Sequence, residues 1–117
     1  MNKKSLYRVI DANFNRASEG LRVVEDAARL VRNKRKTTER LKHIRHGLAC
    51  AVSAMGAKHA DLLKARDSAR DVGTGSAEKR EFSRNGLKDI VIANFRRAEE
   101  GLRVLEEFSK LSSPRAS

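Results

Sequence analysis

Apolar residues recur every three or four positions in three long stretches, at about residues 6–31, 41–62 and 86–111. That spacing places them on one face of an α-helix. The sequence therefore predicts an all-α fold of three long helices in a bundle, which a second copy of the chain could complete as a homodimer. The three stripes are Phe14, Ala17, Leu21, Val24, Ala28 and Val31; Leu41, Ile44, Leu48, Val52, Met55, His59 and Leu62; and Leu87, Val91, Phe95, Ala98, Leu102, Leu105 and Ser109.

Polar and glycine residues suggest where these helices begin and break. Gly47 and Gly56 each weaken a helix by about 1 kcal/mol relative to alanine, so the second helix is expected to bend or split. The basic stretch 33–36 should end the first helix, where positive charge complements the helix dipole. The predicted N-caps are Ser5 for the first helix, Thr37 or Thr38 for the second, and Ser83 or Asn85 for the third.

Length and composition fit one domain. A chain of 117 residues leaves little room for two domains, and we expect a helical domain over 1–111 with a disordered tail over 112–117. The single cysteine, Cys50, excludes an intramolecular disulfide and is expected to be a small core residue. No apolar run approaches the roughly 18–20 residues of a membrane span, and no secretory signal is evident, so a cytoplasmic location is expected.

The charge indicates anionic partners. Lysine and arginine number 26 against 15 acidic residues, a net charge of +11. Nucleic acid, a membrane surface and phosphorylated metabolites would all fit this sign. The basic residues are mixed with acids and only five aromatic residues are present, which disfavours nucleic acid, although a helical nucleic-acid-binding module stays an alternative.

An internal repeat is the most informative feature. Residues 12–25 and 93–106 align at an offset of 81, with 11 of 14 positions identical. Amphipathic periodicity alone would preserve apolar character, but not the shared Asn, Arg, Glu and Gly. Gly20 and Gly101 could simply allow two helices to approach closely. The repeated polar residues, at the edges of the apolar faces, could form a quasi-symmetric pocket in which arginine binds phosphate and Asn and Glu bind an amino-heterocycle.

Two further stretches have residue types suited to phosphate chemistry. Arg45-His46 could contact a phosphate. Asp67 and Asp71 could hold Mg²⁺, and the backbone N–H groups of residues 73–75 could bind a phosphate. The spacing is not that of a Walker A loop, and an ordinary connection with capping aspartates is the alternative.

Five ordered motifs give the chain a resemblance to a known family. Residues 7–26, 41–46, 65–67, 71–74 and 93–107 are similar, in that order, to the helical domain often fused to the N-terminus of bacterial thiamine-phosphate synthase. The resemblance implies hydroxymethylpyrimidine phosphate kinase activity, with ATP and Mg²⁺. The resemblance ends where the synthase barrel would begin, so we expect either a stand-alone member of this family or an excised domain. A non-catalytic partner domain of that synthase is the other alternative.

Under this resemblance, each candidate residue receives an expected role. The catalytic group comprises Arg22, Arg45, Arg103 and Asp67. The substrate-binding group comprises Asn13, Arg16, Glu19 and Glu25 with their repeat equivalents Asn94, Arg97, Glu100 and Glu106. The nucleotide-binding group comprises His46, Arg66, Gly73, Thr74 and Gly75, and the Mg²⁺ ligands are Asp67 and Asp71.

Overall fold

The protein is predominantly helical in the part of the chain that the structure describes. A computed structural model describes residues 1–56, 59–66 and 86–112, and these contain four α-helices and no β-strand. The all-α prediction is confirmed, with three of the helices long. None of the described helices has the length and apolarity that a membrane crossing requires. The helices are α1 (Lys3–Asp26), α2 (Arg35–Ala54), α3 (His59–Ala65) and α4 (Leu87–Ser109), and a π-helical segment, Ala27–Val31, extends α1.

The predicted N-caps of the first two helices are wrong. Asn2 caps α1, because its Oδ1 accepts a 2.8 Å hydrogen bond from the backbone N–H of Ser5. Ser5 therefore lies inside the first turn. Helix α2 begins at Arg35 after Lys34, so Thr37 and Thr38 are also inside a helix.

Corresponding differences occur at two other helix boundaries. Arg35 and Lys36 start α2 and do not end α1. Gly86 precedes α4, and the predicted caps Ser83 and Asn85 lie outside the described residues.

The predicted second helix splits at one of its two glycines. Gly56 follows α2 with φ at +84°, a left-handed conformation that glycine adopts at little cost. Gly47 instead lies within unbroken α2, and a Cβ added there would meet nothing within 4 Å. The Tyr7 hydroxyl donates a 3.3 Å hydrogen bond to the Gly56 carbonyl oxygen, which links the turn to α1.

Helix α1 is the centre of the fold and contacts each of the other helices. Ile10, on α1, is fully buried. Burial of the apolar side chains in the core cluster supplies the main stabilisation of the fold. The core cluster comprises Leu6, Ile10, Ala17, Leu21, Val24 and Ala28 of α1 and its extension; Leu41, Leu48, Val52 and Met55 of α2 and its C-cap; Leu62 of α3; and Ala98 and Leu105 of α4.

The two repeat copies pack against each other as an antiparallel helix pair. A Cβ placed on Gly20 would lie 3.1 Å from the Ala98 backbone nitrogen, and one on Gly101 would lie 3.1 Å from that of Ala17. Ala17 and Ala98 are repeat equivalents, so the two contacts are related by a local two-fold axis. The prediction that these glycines allow close helix approach is confirmed.

Some positions on the predicted apolar stripes are exposed. In the described residues α4 packs extensively only against α1, which leaves Phe95 45% and Leu102 36% exposed. Val31 and Ile44 are exposed as well. Cys50 is also exposed, so its predicted core position is wrong. A helical period identifies an apolar face, but burial also requires a partner on that face.

Candidate functional site

A cleft of about 590 Å³ lies beside the N-terminal half of α1. We call it the α1–α4 cleft because it takes residues from both repeat copies. Arg16 and Glu19 reach it from the first copy, Arg97 from the second, and Arg66 from the end of α3. The prediction that repeated polar side chains meet in one pocket therefore describes part of what the structure shows.

A bidentate ion pair between Arg66 and Asp11 forms one wall of this cleft. The Arg66 Nε and Nη2 donate to the two carboxylate oxygens of Asp11 at 2.9 and 2.8 Å. Asp11 is buried, and Asn15 also donates to it at 3.3 Å. The hydrogen bond and the charge of Asp11 raise the pKa of Arg66, so its guanidinium stays protonated at every physiological pH.

A side-chain amide fixes a second arginine. Asn13 is buried, and its Nδ2 donates to the Val9 carbonyl oxygen at 2.9 Å, as Asn94 does to Ile90 in the other copy. The Oδ1 of Asn13 accepts a 2.9 Å hydrogen bond from Arg16 Nη1. The amide of Asn13 therefore bonds to its own helix through Nδ2 and orients Arg16 through Oδ1.

One ion pair joins the two repeat copies across the cleft. Arg97 Nη2 lies 3.3 Å from Glu19 Oε2, with both side chains about half exposed. A pair this accessible to water contributes little to stability. An anionic ligand could therefore displace Glu19 from Arg97 at low cost.

Three predicted residues lie together elsewhere, on a second surface between α1 and α2. Glu25 is buried there, and its carboxylate oxygens both lie 3.4 Å from Arg45 Nη2. Arg22 reaches the same carboxylate at 3.8 Å. The structure thus separates Arg22, Glu25 and Arg45 from the α1–α4 cleft.

Of the other predicted residues, those that the structure describes line neither of these two surfaces. Arg103 pairs with its helical neighbours Glu106 and Glu107, while Glu100 and His46 are exposed. Asn94 is half-buried, with its amide bonded along its own helix. The remaining predicted residues, Asp67, Asp71, Gly73, Thr74 and Gly75, lie outside the described residues.

Sequence reasoning missed two charged residues of the α1–α4 cleft, Arg8 and Asp11. Both lie just N-terminal to the first repeat copy, and Asp89 and Ile92 stand at the positions 81 residues later. The identities between the copies include residues that pack the two helices together. The charge differences at the positions flanking the repeat are the signal that could identify Arg8 and Asp11.

Comparison with known proteins places this chain in a defined group. It is 42% identical over 107 residues to a thiamine-phosphate synthase of Rhodopirellula baltica, which covers 92% of this chain and 28% of that protein. It is 41% identical over 110 residues to the thiamine-phosphate synthase of Synechocystis sp., covering 94% of this chain and 30% of that one.

The match to Gloeobacter violaceus thiamine-phosphate synthase is 40% over 108 residues, 92% of this chain and 30% of that protein. The chain thus spans less than a third of these relatives. No solved structure matches it. The ThiD2 family model matches residues 8–117, and the chain belongs to the ThiD2 family.

Proposed function

We propose that the chain acts in thiamine biosynthesis as a hydroxymethylpyrimidine phosphate kinase, which uses ATP to convert that monophosphate to the diphosphate. The observation that carries the proposal is the α1–α4 cleft, where Arg8, Arg16 and Arg97 line one concave surface beside the Asp11–Arg66 pair. Arginine binds phosphate oxygens through two parallel N–H groups. The similarity to thiamine-phosphate synthases supports the pathway.

The proposed reaction requires little covalent chemistry from the protein. A phosphate oxygen of the substrate attacks the γ-phosphorus of ATP, the bond between that phosphorus and the β,γ-bridging oxygen breaks, and ADP leaves with the electron pair. A phosphate monoester has a second pKa of about 6, so the nucleophile is already deprotonated at pH 7. The cleft therefore needs no general base.

What the protein must supply is position and positive charge. Two anionic substrates repel each other, and cations held in place before the reaction reduce that repulsion. Asn13 holds Arg16 in one orientation through a 2.9 Å hydrogen bond. Arg97 is held more loosely by Glu19 and can turn to a phosphate.

The described lining does not fit a magnesium site built by the protein. Its two carboxylates, Asp11 and Glu19, already pair with Arg66 and Arg97. Within the described residues no group of three or more His, Cys, Asp or Glu could hold a metal ion. Magnesium is therefore proposed to enter with ATP, and the assignment of Asp67 and Asp71 as its ligands stays a prediction.

The direct test is release of ADP from MgATP by the purified chain. Hydroxymethylpyrimidine phosphate and the unphosphorylated alcohol are supplied separately. Turnover with the phosphate alone is expected. Turnover with the alcohol as well would refute the idea that no general base is needed, and absence of turnover in a folded sample would refute the kinase.

Two arginines on α4 provide a matched pair of variants for this assay. Arg97→Ala removes a cation from the cleft and should lower kcat/KM about tenfold or more, since an ionic hydrogen bond contributes about 1.5–3 kcal/mol. Arg96→Ala removes the same side chain from an exposed position of α4 that does not line the cleft, and should leave kcat/KM within about twofold. Equal losses in the two variants would remove the cleft from the mechanism.

The relatives favour one second candidate, a partner domain of thiamine-phosphate synthase without its own activity. It is supported by the small share of each relative that this chain covers. A folded chain that binds a synthase and releases no ADP would establish this alternative. The net charge of +11 also keeps a nucleic-acid-binding role open to test, by measuring how steeply oligonucleotide binding falls with salt.

A further inference from the structure

The surface between α1 and α2 is a second cleft, of about 550 Å³, and it is strongly basic. We call it the α1–α2 cleft. Six cationic side chains and two carboxylates line it, an excess of four positive charges. The cations are Arg22, Arg29, Lys34, Arg35, Lys42 and Arg45.

The two carboxylates are already neutralised by some of these cations. Glu25 lies 3.4 Å from Arg45, and Glu39 lies 3.3 Å from Arg35. Among the described residues, the side chains of Arg29, Lys34 and Lys42 have no carboxylate within ion-pair distance. Three cations without counter-charges in one concavity repel each other, and the concave wall concentrates their field. A bound anion would remove that repulsion.

The wall of the cleft is fixed before any ligand binds. Glu25 is 5% exposed and holds the guanidinium of Arg45 by both carboxylate oxygens. The Nε of Arg45 is itself buried and lacks a hydrogen-bond partner. The equivalent glutamate in the other repeat copy, Glu106, has a side chain 64% exposed. Of these two equivalent glutamates, only Glu25, in the α1–α2 cleft, is therefore buried.

The backbone adds to the positive field. Helix α2 begins at this cleft, its N-cap residue Lys34 makes no side-chain capping hydrogen bond, and no acidic residue lies in its first turn. The free N–H groups and dipole of a helix N-terminus favour an anion. These groups supplement the cationic side chains.

The α1–α2 cleft and the α1–α4 cleft have no lining residue in common. The α1–α4 cleft extends along α1 as far as Glu19, and the α1–α2 cleft begins at Arg22. A phosphate bound among residues 29–45 therefore contacts a different set of cations from one bound by Arg16 and Arg97.

From these observations we infer that the α1–α2 cleft is a second anion site, which binds a small molecule through a phosphate or diphosphate group. The shared chemistry is a multiply charged phosphate. It could come from inorganic phosphate or pyrophosphate, or from the phosphates of a nucleotide. The inference is independent of the proposed kinase, because it concerns binding at a different surface.

The test is titration of the ¹⁵N-labelled chain with inorganic phosphate, pyrophosphate, AMP and magnesium-free ATP, followed by amide shifts. Saturable shifts at residues 29–42 are expected with pyrophosphate. They should persist in Arg97→Ala, which weakens the α1–α4 cleft. Tighter binding of ATP than of pyrophosphate would identify a nucleotide as the source, and equal or weaker binding would identify the free anion.

Variants without folding consequences make the test specific. Arg29→Gln and Lys42→Gln remove exposed side chains that hold no ion pair, and together they should weaken pyrophosphate binding about tenfold or more. Lys88→Gln, with the same charge change on the exposed surface of α4, should change it by less than about twofold. Equal weakening by Lys88→Gln, or shifts confined to residues 5–19, would overturn the inference. Tighter binding of a single-stranded oligonucleotide than of pyrophosphate, measured from the shifts at residues 29–42, would also overturn the inference.

Discussion

Gly20 on α1 faces the Asn94 carbonyl oxygen on α4 so closely that a Cβ at Gly20 would lie 2.6 Å from it. The repeat equivalents make the same contact in reverse, since a Cβ on Gly101 would lie 3.0 Å from the Asn13 carbonyl oxygen. The two helix copies therefore cross with backbone against backbone. Part of the repeat's identity is explained by this packing and requires no ligand.

Alanine at Gly20 should destabilise the protein by about 1–3 kcal/mol, because backbone atoms cannot move aside as a flexible side chain would. Alanine at Gly101 should destabilise it by a smaller amount, given the longer distance. Gly47→Ala is the matched control: its Cβ meets nothing, so helix propensity should stabilise α2 by about 0.5–1 kcal/mol. Urea unfolding of the three variants gives these changes, and a neutral Gly20→Ala would contradict the close crossing.

The repeat predicted the α1–α4 pair but could not predict how differently the two copies are used. Glu25 and Glu106 stand at equivalent positions, each with an arginine three residues earlier at 3.8 Å. Helix α2 covers Glu25 and supplies Arg45, whereas Glu106 stays in water. Sequence periodicity describes one helix at a time, so it could not predict the contribution of a third helix, α2, at Glu25.

The same limit explains the error in the apolar stripes. Leu21 and Leu102 are repeat equivalents, and helical spacing predicts both as core residues. Leu21 is buried at 3% exposure, but Leu102 is 36% exposed because α4 has a large interface only with α1 among the described elements. Helix class and the positions of the long helices follow from local pattern, while burial depends on which faces have a packing partner.

Glu25→Gln should cost about 1–3 kcal/mol, because it removes a buried charge that partners the guanidinium of Arg45. Glu106→Gln at the equivalent position should change stability by less than about 0.5 kcal/mol, since its ion pair is exposed. Chemical denaturation of both variants measures the difference. Equal effects would mean that burial of Glu25 contributes nothing to stability.

Arg66→Ala should destabilise the fold more than Arg35→Ala does, because it leaves Asp11 buried without its cation, whereas Glu39 is exposed. The excess loss should be seen at neutral pH, where the guanidinium of Arg66 in the wild type is charged.

The raised pKa of Arg66 keeps the wild-type guanidinium charged well above neutrality, so its contribution is present at neutral pH and is lost only under strongly alkaline conditions. Melting temperatures of wild type and both variants from pH 6 to 9 provide the test. A loss in Arg66→Ala no larger than that in Arg35→Ala, or one that disappears between pH 6 and 9, would argue against this ion pair.

Cys50 is exposed on α2, so it should react with a thiol reagent in the native protein to one equivalent without denaturant. Cys50→Ser should change stability by less than about 0.5 kcal/mol, as expected of a surface position. Labelling that requires urea would restore the core position that the sequence suggested.

Glu19→Gln should strengthen binding of the phosphorylated substrate if Arg97 is the group that binds it. The substitution removes the carboxylate 3.3 Å from Arg97 and leaves the guanidinium free for phosphate, so KM for hydroxymethylpyrimidine phosphate should fall. Stability should change by less than about 0.5 kcal/mol, because the pair is exposed.

Glu107→Gln frees Arg103 from a 3.2 Å ion pair outside the cleft and should leave KM unchanged. If Glu19 instead recognises the aminopyrimidine, as its place in the repeat suggested, the same variant should raise KM. The direction of the change therefore decides which of the two roles Glu19 has.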